Sequence, residues 1–504
     1  MAMATPTIVL LPVWGAGHLM PMLEAGKRLL ASSGGGHAFS VTVLVMPPPP
    51  TEQQASEVDG HIRRAEEEVA AAAGDLDVRF QRLPAVDPPT DHQGPVEFIS
   101  RVVELHAPNV RAAISGLPPA SPVAAVVLDL FCTPLIDVAR DLAVPSTYVY
   151  FTCNAAALSF FLRLPALCDE VAGEFVDMDG GAAVDISGLP PVPPLSLLTP
   201  VMEKTKPECA WYSYHGRRFA DADGIVVNTA AELEPGVLSA IAAGRCTHGN
   251  APPRLYAIGP VISFPRRHRR RIHACGGWTR NHRRRAGFLT AAQAHEVAHG
   301  LERSGHRFLW VLRGPPAPGT RSPTDADLAG GELLPEGFLD AVTGDDNDDG
   351  GGGRGMVWPT TAPQKEILAH AAVGGFVTHC GWNSVMESLW CGVPMAPWPM
   401  YAEQHLNAFA MVGAMGVAVS MEVDRKKGNF VEAAELERAV REMMGGGDEG
   451  RKVREKAAAM KVACRNAVVD GGSSAAALRR LAGDIVSRCA MNGPNEVGAL
   501  LSDD

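Results

Sequence analysis

The chain reads as two doubly wound α/β domains whose strand ends face each other across a cleft. Three observations predict it. Its 504 residues exceed one ordinary hydrophobic core and fit two domains of roughly 200–250 residues. In both halves short apolar runs alternate with amphipathic stretches, the pattern of βαβ units and parallel sheets. The residues best suited to chemistry fall just beyond those runs, where open α/β sheets bind their ligands.

Taken in order, Ile8–Val13 predicts a buried strand, Leu19–Leu30 a helix and Ser40–Met46 a second strand. Val123–Leu128 and Thr147–Phe151 predict further strands, with a helix over Pro134–Leu142 between them. The Pro-rich stretches Pro47–Pro50 and Leu189–Pro200 predict loops. In the second half, Arg307–Leu312, Gly375–Thr378 and Val393–Ala396 predict strands, and helices begin near Pro363, Trp382 and Gln404. The Asp/Gly tract Asp345–Gly353 has nothing to bury and predicts a disordered surface loop. Helical patterns over Glu432–Met444, Arg451–Ala467 and Ser473–Cys489 close the chain. The expected layout is a first domain over 1–260, an anomalous linker over 261–290, a second domain over 291–480 and a tail over 481–504.

Apolar residues make up 46% of the chain and charged residues 20%, an ordinary globular mixture. A formal charge of −11 argues against a general polyanion binder, so no nucleic-acid partner is expected. The ten cysteines form no CxxC pair and no cluster with zinc-ligand spacing. They are expected to be reduced, mostly buried thiols of a cytoplasmic protein. The opening run Thr7–Pro12 is too short for a signal-peptide core, and no apolar run approaches the roughly 20 residues that span a bilayer.

The densest chemical signal is the stretch from Gly374 to Glu387. An apolar strand ends at His379, Gly381 permits a tight turn, and a helix starts near Asn383. A helix start aims unpaired backbone N–H groups and a positive dipole end at whatever lies above, which suits a diphosphate. Asn383 and Ser384 add side-chain donors there. Glu387, four residues after Asn383, shares its helix face and can accept hydrogen bonds from a ribose diol. Any one of these residues alone reads as part of an ordinary capped helix.

His18 follows the first strand in the segment Gly15–Pro21, at a strand-to-helix turn. An imidazole titrates near neutrality and can take the proton of a phenol or alcohol. In isolation it reads as a loop histidine with satisfied hydrogen bonds. Asp129 ends the strand Val126–Asp129, where it can hold the other nitrogen of His18 and fix its tautomer. Alternatively it caps the following helix.

The span Thr361–Gln404 resembles the signature box of plant secondary-product glycosyltransferases, the plant branch of the UDP-glycosyltransferase family. The match rests on Ala362-Pro-Gln364, Leu368, His370, the run Gly375–Ser384, Glu387, Gly392-Val-Pro394, Pro399 and Glu403-Gln404. The resemblance covers roughly residues 5–262 and 288–490. It implies the GT-B arrangement of two Rossmann-like domains, an acceptor-binding first domain and a UDP-sugar-binding second one. It implies that the Ala362 backbone meets the uracil, Gln364 and Glu387 the ribose, and His379, Asn383 and Ser384 the diphosphate. Trp382, Glu403 and Gln404 are implied as sugar contacts, with Gln404 marking glucose, and Thr152 as a further one. His18 is the implied catalytic base and Asp129 its partner. The reaction is then an inverting, metal-independent transfer from UDP-glucose to a small phenolic or flavonoid acceptor, by a monomer needing no cofactor. Trp14 and Phe131 are expected to shape the acceptor pocket.

Two features depart from the family. Its box opens with a tryptophan that stacks on uracil, whereas this chain has Thr361, with Trp358 three residues upstream. Between Pro265 and Arg285 stand nine arginines in 21 residues, where the family has an apolar strand and a phosphate-contacting loop. Such a segment is not expected to make a buried central strand. It reads as a shifted reading frame, a solvated insertion or, least, a nucleic-acid-binding patch. The alternative function is accordingly a UDP-sugar-binding relic with impaired catalysis.

Overall fold

The computed structural model describes residues 5–32, 39–49, 55–71, 77–179, 181–247, 251–262, 278–280, 288–316, 323–328, 332–343 and 353–491. The first half is built on strands β1 (Thr7–Leu11), β2 (Ser40–Val45), β3 (Val78–Arg82), β4 (Val123–Asp129), β5 (Thr147–Phe151), β6 (Gly224–Val227) and β7 (Leu255–Ala257). Every residue of β1 and β2 is buried, as expected of strands covered on both faces. The seven run parallel in the order β3-β2-β1-β4-β5-β6-β7. The chain therefore starts in mid-sheet, winds outward through β2 and β3, then returns to add β4 on the other side of β1. That reversal opens a crevice at the carboxyl ends of β1 and β4.

The second half contains β8 (Trp278–Arg280), β9 (Phe308–Val311), the antiparallel hairpin β10 (Arg313–Pro316) and β11 (Pro323–Asp325), then β12 (Gly355–Trp358), β13 (Phe376–Thr378) and β14 (Met395–Pro397). Its parallel sheet has the order β12-β9-β8-β13-β14, so its switch point lies between β8 and β13. Apolar side chains cover both faces of both sheets. Helix Ala16–Ser32 approaches its sheet so closely that a Cβ on Gly26 would sit 2.7 Å from a Leu10 methyl.

Two expectations need correction. The linker assigned to 261–290 contains β8, the central strand of the second sheet; the main chain of Trp278–Arg280 fills it despite the surrounding arginines. Strand pairing is a backbone property, and without β8 the facing edges of β9 and β13 would lack ladder partners. The rest of the arginine-rich segment and nearly all of the Asp/Gly tract lie outside the described residues. The boundary at 480/481 falls inside helix Ser473–Met491, which crosses back to the first half. There Ala477, Leu478, Leu481, Ala482 and Ile485 join the core formed by Ile8, Leu10 and Val41. An amphipathic stripe shows that such a helix must pack, but not on which sheet. Among the described residues, no helix is long and apolar enough to cross a membrane.

His106, between helices Pro95–Leu105 and Ala107–Ser115, is fully buried with neither ring nitrogen hydrogen-bonded. Burial holds its imidazole at about 4, below the ordinary 6.5. The folded state thus keeps it neutral while the unfolded chain protonates, so its contribution is complete above pH 6.5 and is lost as pH falls towards 4, at about 1.4 kcal/mol per pH unit. His106→Leu is expected to raise the unfolding free energy at pH 7 by about 1–2 kcal/mol and to flatten the acid slope by one proton. Urea unfolding at pH 7 and pH 5 checks both.

Candidate active site

His18 stands in the first turn of the helix that follows β1, and Asp129 is the last residue of β4. Because β1 and β4 are neighbours, the two side chains meet at the switch point. Asp129 Oδ2 lies 2.8 Å from His18 Nδ1, and Asp129 Oδ1 accepts the Phe131 backbone N–H at 3.1 Å. The aspartate is fully buried while a quarter of the histidine side chain is exposed. With Nδ1–H donated to the carboxylate, Nε2 carries the lone pair that can accept a proton. The Phe131 ring lies 5.7 Å from the imidazole. Behind it His215 is buried, bonded to Ser100 Oγ at 2.8 Å and Thr133 Oγ1 at 2.7 Å, and burial drives its imidazole down to about 3. His215 is therefore a neutral strut for the aromatic wall.

On the other side, β13 leads into Gly381 and the helix Trp382–Cys391. A Cβ on Gly381 would sit 2.4 Å from His379 Nε2, so only glycine lets the imidazole fold over this turn. The Ser384 and Val385 N–H groups close on the Gly381 carbonyl at 2.9 and 3.1 Å, and the N–H groups before them stand at the helix start, where a helix leaves donors for an anion. Gln364 Nε2 donates to Ser384 Oγ at 3.0 Å and to Glu387 Oε2 at 2.5 Å, bringing three predicted ligand residues into contact. Gln364 Oε1 is buried without a partner, an acceptor suited to a ligand hydroxyl. Ala362 is buried just before the helix Gln364–Leu368.

The two halves touch at this point. Asn383 Nδ2 donates to the carbonyl of Gly17 at 3.3 Å, so the helix end stands beside the residue preceding His18. Trp382 gives its indole N–H to the carbonyl of Asn228 at 2.6 Å. Its ring is buried, which leaves its backbone N–H as the group for a ligand. Gln404 Oε1 accepts the backbone N–H groups of Met400 and Tyr401 at 2.8 and 3.0 Å, leaving only Nε2 to face a sugar. Burial pushes the Glu403 carboxyl above the ordinary glutamate range, against the field of His18 and hydrogen bonds from Cys153 and Asn407. Thr152 is buried at the end of β5. Arg425 of the second half donates to the carbonyls of Leu195 and Leu197 and to Thr199 Oγ1. Cys153, Asn154, Thr199, Asn407 and Arg425 were not legible as site residues. Their only local signal was Asn154 as a helix cap.

Thr361 is exposed, and its hydroxyl accepts from Arg313 at 2.6 Å. Trp358 ends β12 packed against the core, with its indole N–H on Thr360 at 2.8 Å. It is half-buried against the core of the second half.

The UDP-glucoronosyl and UDP-glucosyl transferase family model matches residues 288–449. Malvidin galactosylase UGT88C3 of Oryza sativa subsp. japonica is 54% identical over 503 residues, covering 97% of this chain and 99% of that protein. The chain belongs to the plant UDP-glycosyltransferases. Flavonol 3-O-glucosyltransferase UGT71C4 of Arabidopsis thaliana is 36% identical over 81% of this chain and 85% of its own length. The structure of Medicago truncatula UGT71G1 complexed with UDP-glucose superposes with a TM-score of 0.78 at 30% identity, over 95% of this chain and 98% of that one. This plant UDP-glycosyltransferase is thus a GT-B enzyme, and the switch-point residues described above lie in the cleft between its halves.

The Gln404 geometry separates its two roles. Gln404→Glu keeps an oxygen that accepts from Met400 and Tyr401 but buries a carboxylate beside Glu403, and is expected to cost about 1–3 kcal/mol at pH 7, less as pH falls and the carboxyl is protonated. Gln404→Ala strands both amides and is expected to cost about 1–2 kcal/mol. Denaturant unfolding of the two variants tests the split.

Proposed function

We propose that this plant UDP-glycosyltransferase transfers a hexose from its UDP-sugar, with inversion, to a hydroxyl of a flavonoid or related phenolic. The observation that carries the reading is the His18–Asp129 pair at the first switch point, 2.8 Å apart, with the helix end bearing Asn383 reaching the Gly17 carbonyl beside it. The acceptor hydroxyl gives its proton to His18 Nε2 as its oxygen bonds to the anomeric carbon. The bond from that carbon to the UDP oxygen breaks, and the electron pair leaves with UDP. Asp129 holds the imidazole in the productive tautomer and stabilises the imidazolium. Backbone N–H groups at the helix start, with Asn383 and Ser384, offset charge building on the diphosphate. His379 lies beside them, Gln364 and Glu387 take the ribose, and Ala362 meets the uracil. The Trp382 backbone, Glu403 and Gln404 take the sugar, with Thr152 at its edge. Trp14 and Phe131 form the aromatic wall for a planar acceptor. A metal has no role in this scheme.

The donor is UDP-glucose on the reading of Gln404. UDP-galactose is the second reading, favoured by the 54% identity to a protein named malvidin galactosylase. The relic reading rests on the arginine-rich segment and predicts UDP binding without turnover.

Incubation with both UDP-sugars and a panel of anthocyanidins, flavonols and simple phenols separates the three. Glycoside formation is expected, and the ratio of the two rates assigns the sugar; saturable UDP uptake with no product from either donor would establish the relic. His18→Ala and Asp129→Asn are each expected to lower kcat/KM by ~10²–10⁴-fold. An undiminished rate in His18→Ala would remove it as the base. Thr361→Trp restores a stacking surface and is expected to tighten UDP by roughly 1–3 kcal/mol, read by calorimetric titration.

A further inference from the structure

Two non-glycine residues adopt left-handed backbone conformations beside the donor site: Cys380 at φ +66° and Ala402 at φ +53°. Such a conformation is strained for a residue with a Cβ and persists only where its surroundings hold it. Both are held across the cleft. The Cys380 carbonyl accepts from Asn407 Nδ2 at 2.8 Å. Asn407 Oδ1 in turn accepts from Asn154 Nδ2 of the first half at 2.9 Å. The Ala402 carbonyl accepts the backbone N–H of Thr199, also of the first half, at 3.0 Å.

The direction of the asparagine chain is set at both ends by backbone groups. Asn154 Oδ1 accepts the N–H of Ala157 as a helix cap at 2.8 Å, so its Nδ2 must face Asn407. Asn407 must then turn its own Nδ2 to the Cys380 carbonyl. Both asparagines are fully buried, and neither amide can flip without setting oxygen against oxygen. The start of the Asn154 helix is anchored too, since Glu234 accepts the N–H groups of Ala155 and Ala156 at 2.9 Å each. Asn407 Nδ2 also reaches Glu403 Oε1, at 3.4 Å.

We infer that the UDP-sugar site is completed by the first half of the chain, through Asn154 in the loop after β5. Asn154, acting through Asn407, is a positioning residue for the turn at Cys380 that launches the diphosphate-binding helix. The inference rests on the donor-site reading of the preceding subsection. It assigns a donor-binding role to a residue of the half that carries the acceptor site.

Two near-isosteric variants test the asparagine chain. Asn154→Asp keeps the oxygen that caps Ala157 but replaces the donor facing Asn407, so Asn407 turns over and releases the Cys380 carbonyl. UDP Kd and UDP-sugar KM are both expected to rise about tenfold, as for one lost buried hydrogen bond, with acceptor KM within twofold of wild type. Asn407→Asp keeps the oxygen that accepts from Asn154 but removes the donor to the Cys380 carbonyl. It is expected to raise UDP Kd by a similar factor with acceptor KM again within twofold, a split that general loosening of the fold would not produce. Calorimetric UDP titration and steady-state kinetics on the full chain, with thermal unfolding of each variant, give the readouts. Wild-type UDP affinity in a folded Asn154→Asp or Asn407→Asp would overturn the inference; should Asn154→Asp not fold, Asn407→Asp decides alone. A wild-type chain that takes up no UDP would sink the donor-site reading, and the inference with it.

Discussion

The parallel ladder between β1 and β4 is the constraint on which the active site depends. Parallel strands point their carboxyl ends the same way, and the chain places β4 beside β1 only after winding out through β2 and β3. The segments leaving β1 and β4 therefore enter one crevice, and two residues separated by 111 positions come to share a hydrogen bond. Nothing about the histidine itself would bring it there. Its environment follows from the same geometry: β4 ends in the core, so Asp129 is buried, while the helix after β1 starts at the surface and leaves its histidine a quarter exposed.

The second sheet repeats the arrangement with a different payload. A strand end, a glycine that admits the His379 ring and a helix start present backbone N–H groups where the first sheet presents a base and its partner. Gln364, Ser384 and Glu387 already bond to one another, so their orientation is set by mutual contacts before any ligand is considered. Such preorganisation lowers the entropic cost of binding. The left-handed turns at Cys380 and Ala402 work in the other direction, since they are strained backbone that contacts from the opposite half hold in place.

The arginine-rich segment shows how far a sheet constrains a poor sequence. Composition argued that residues 265–285 would supply no central strand, yet Trp278–Arg280 lies between β9 and β13. A parallel sheet needs a partner on each side of its inner strands, and that demand falls on the backbone, which every residue carries. The strand is only three residues long. Thr361 shows a departure of another kind: its hydroxyl is taken by Arg313, so the position has acquired a polar structural contact where the family has an aromatic face.

The alternation of apolar runs and amphipathic stretches was enough to predict two parallel α/β units, because strand and helix periods are local properties of the chain. Most of the strands named from it fall within a residue or two of their observed limits. The box from Thr361 to Gln404 was legible for a related reason. Within it, the strand, turn and helix over Phe376–Cys391 hold Asn383, Ser384 and Glu387 close together in sequence, so spacing reports their shared place, whereas Ala362, Gln364, Glu403 and Gln404 were named from the family resemblance. Local pattern did not reveal β8, which depends on a vacancy between two other strands, nor the return of helix Ser473–Met491 to the first sheet. It also did not reveal Cys153, Asn154, Thr199 and Asn407. What the sequence by itself determined was the class of fold, the family and the residues of each switch point. Which residues of one half brace the other was decided only in three dimensions, because a hydrogen bond between Asn154 and Asn407 spans 253 positions and depends on how two separately folded sheets dock.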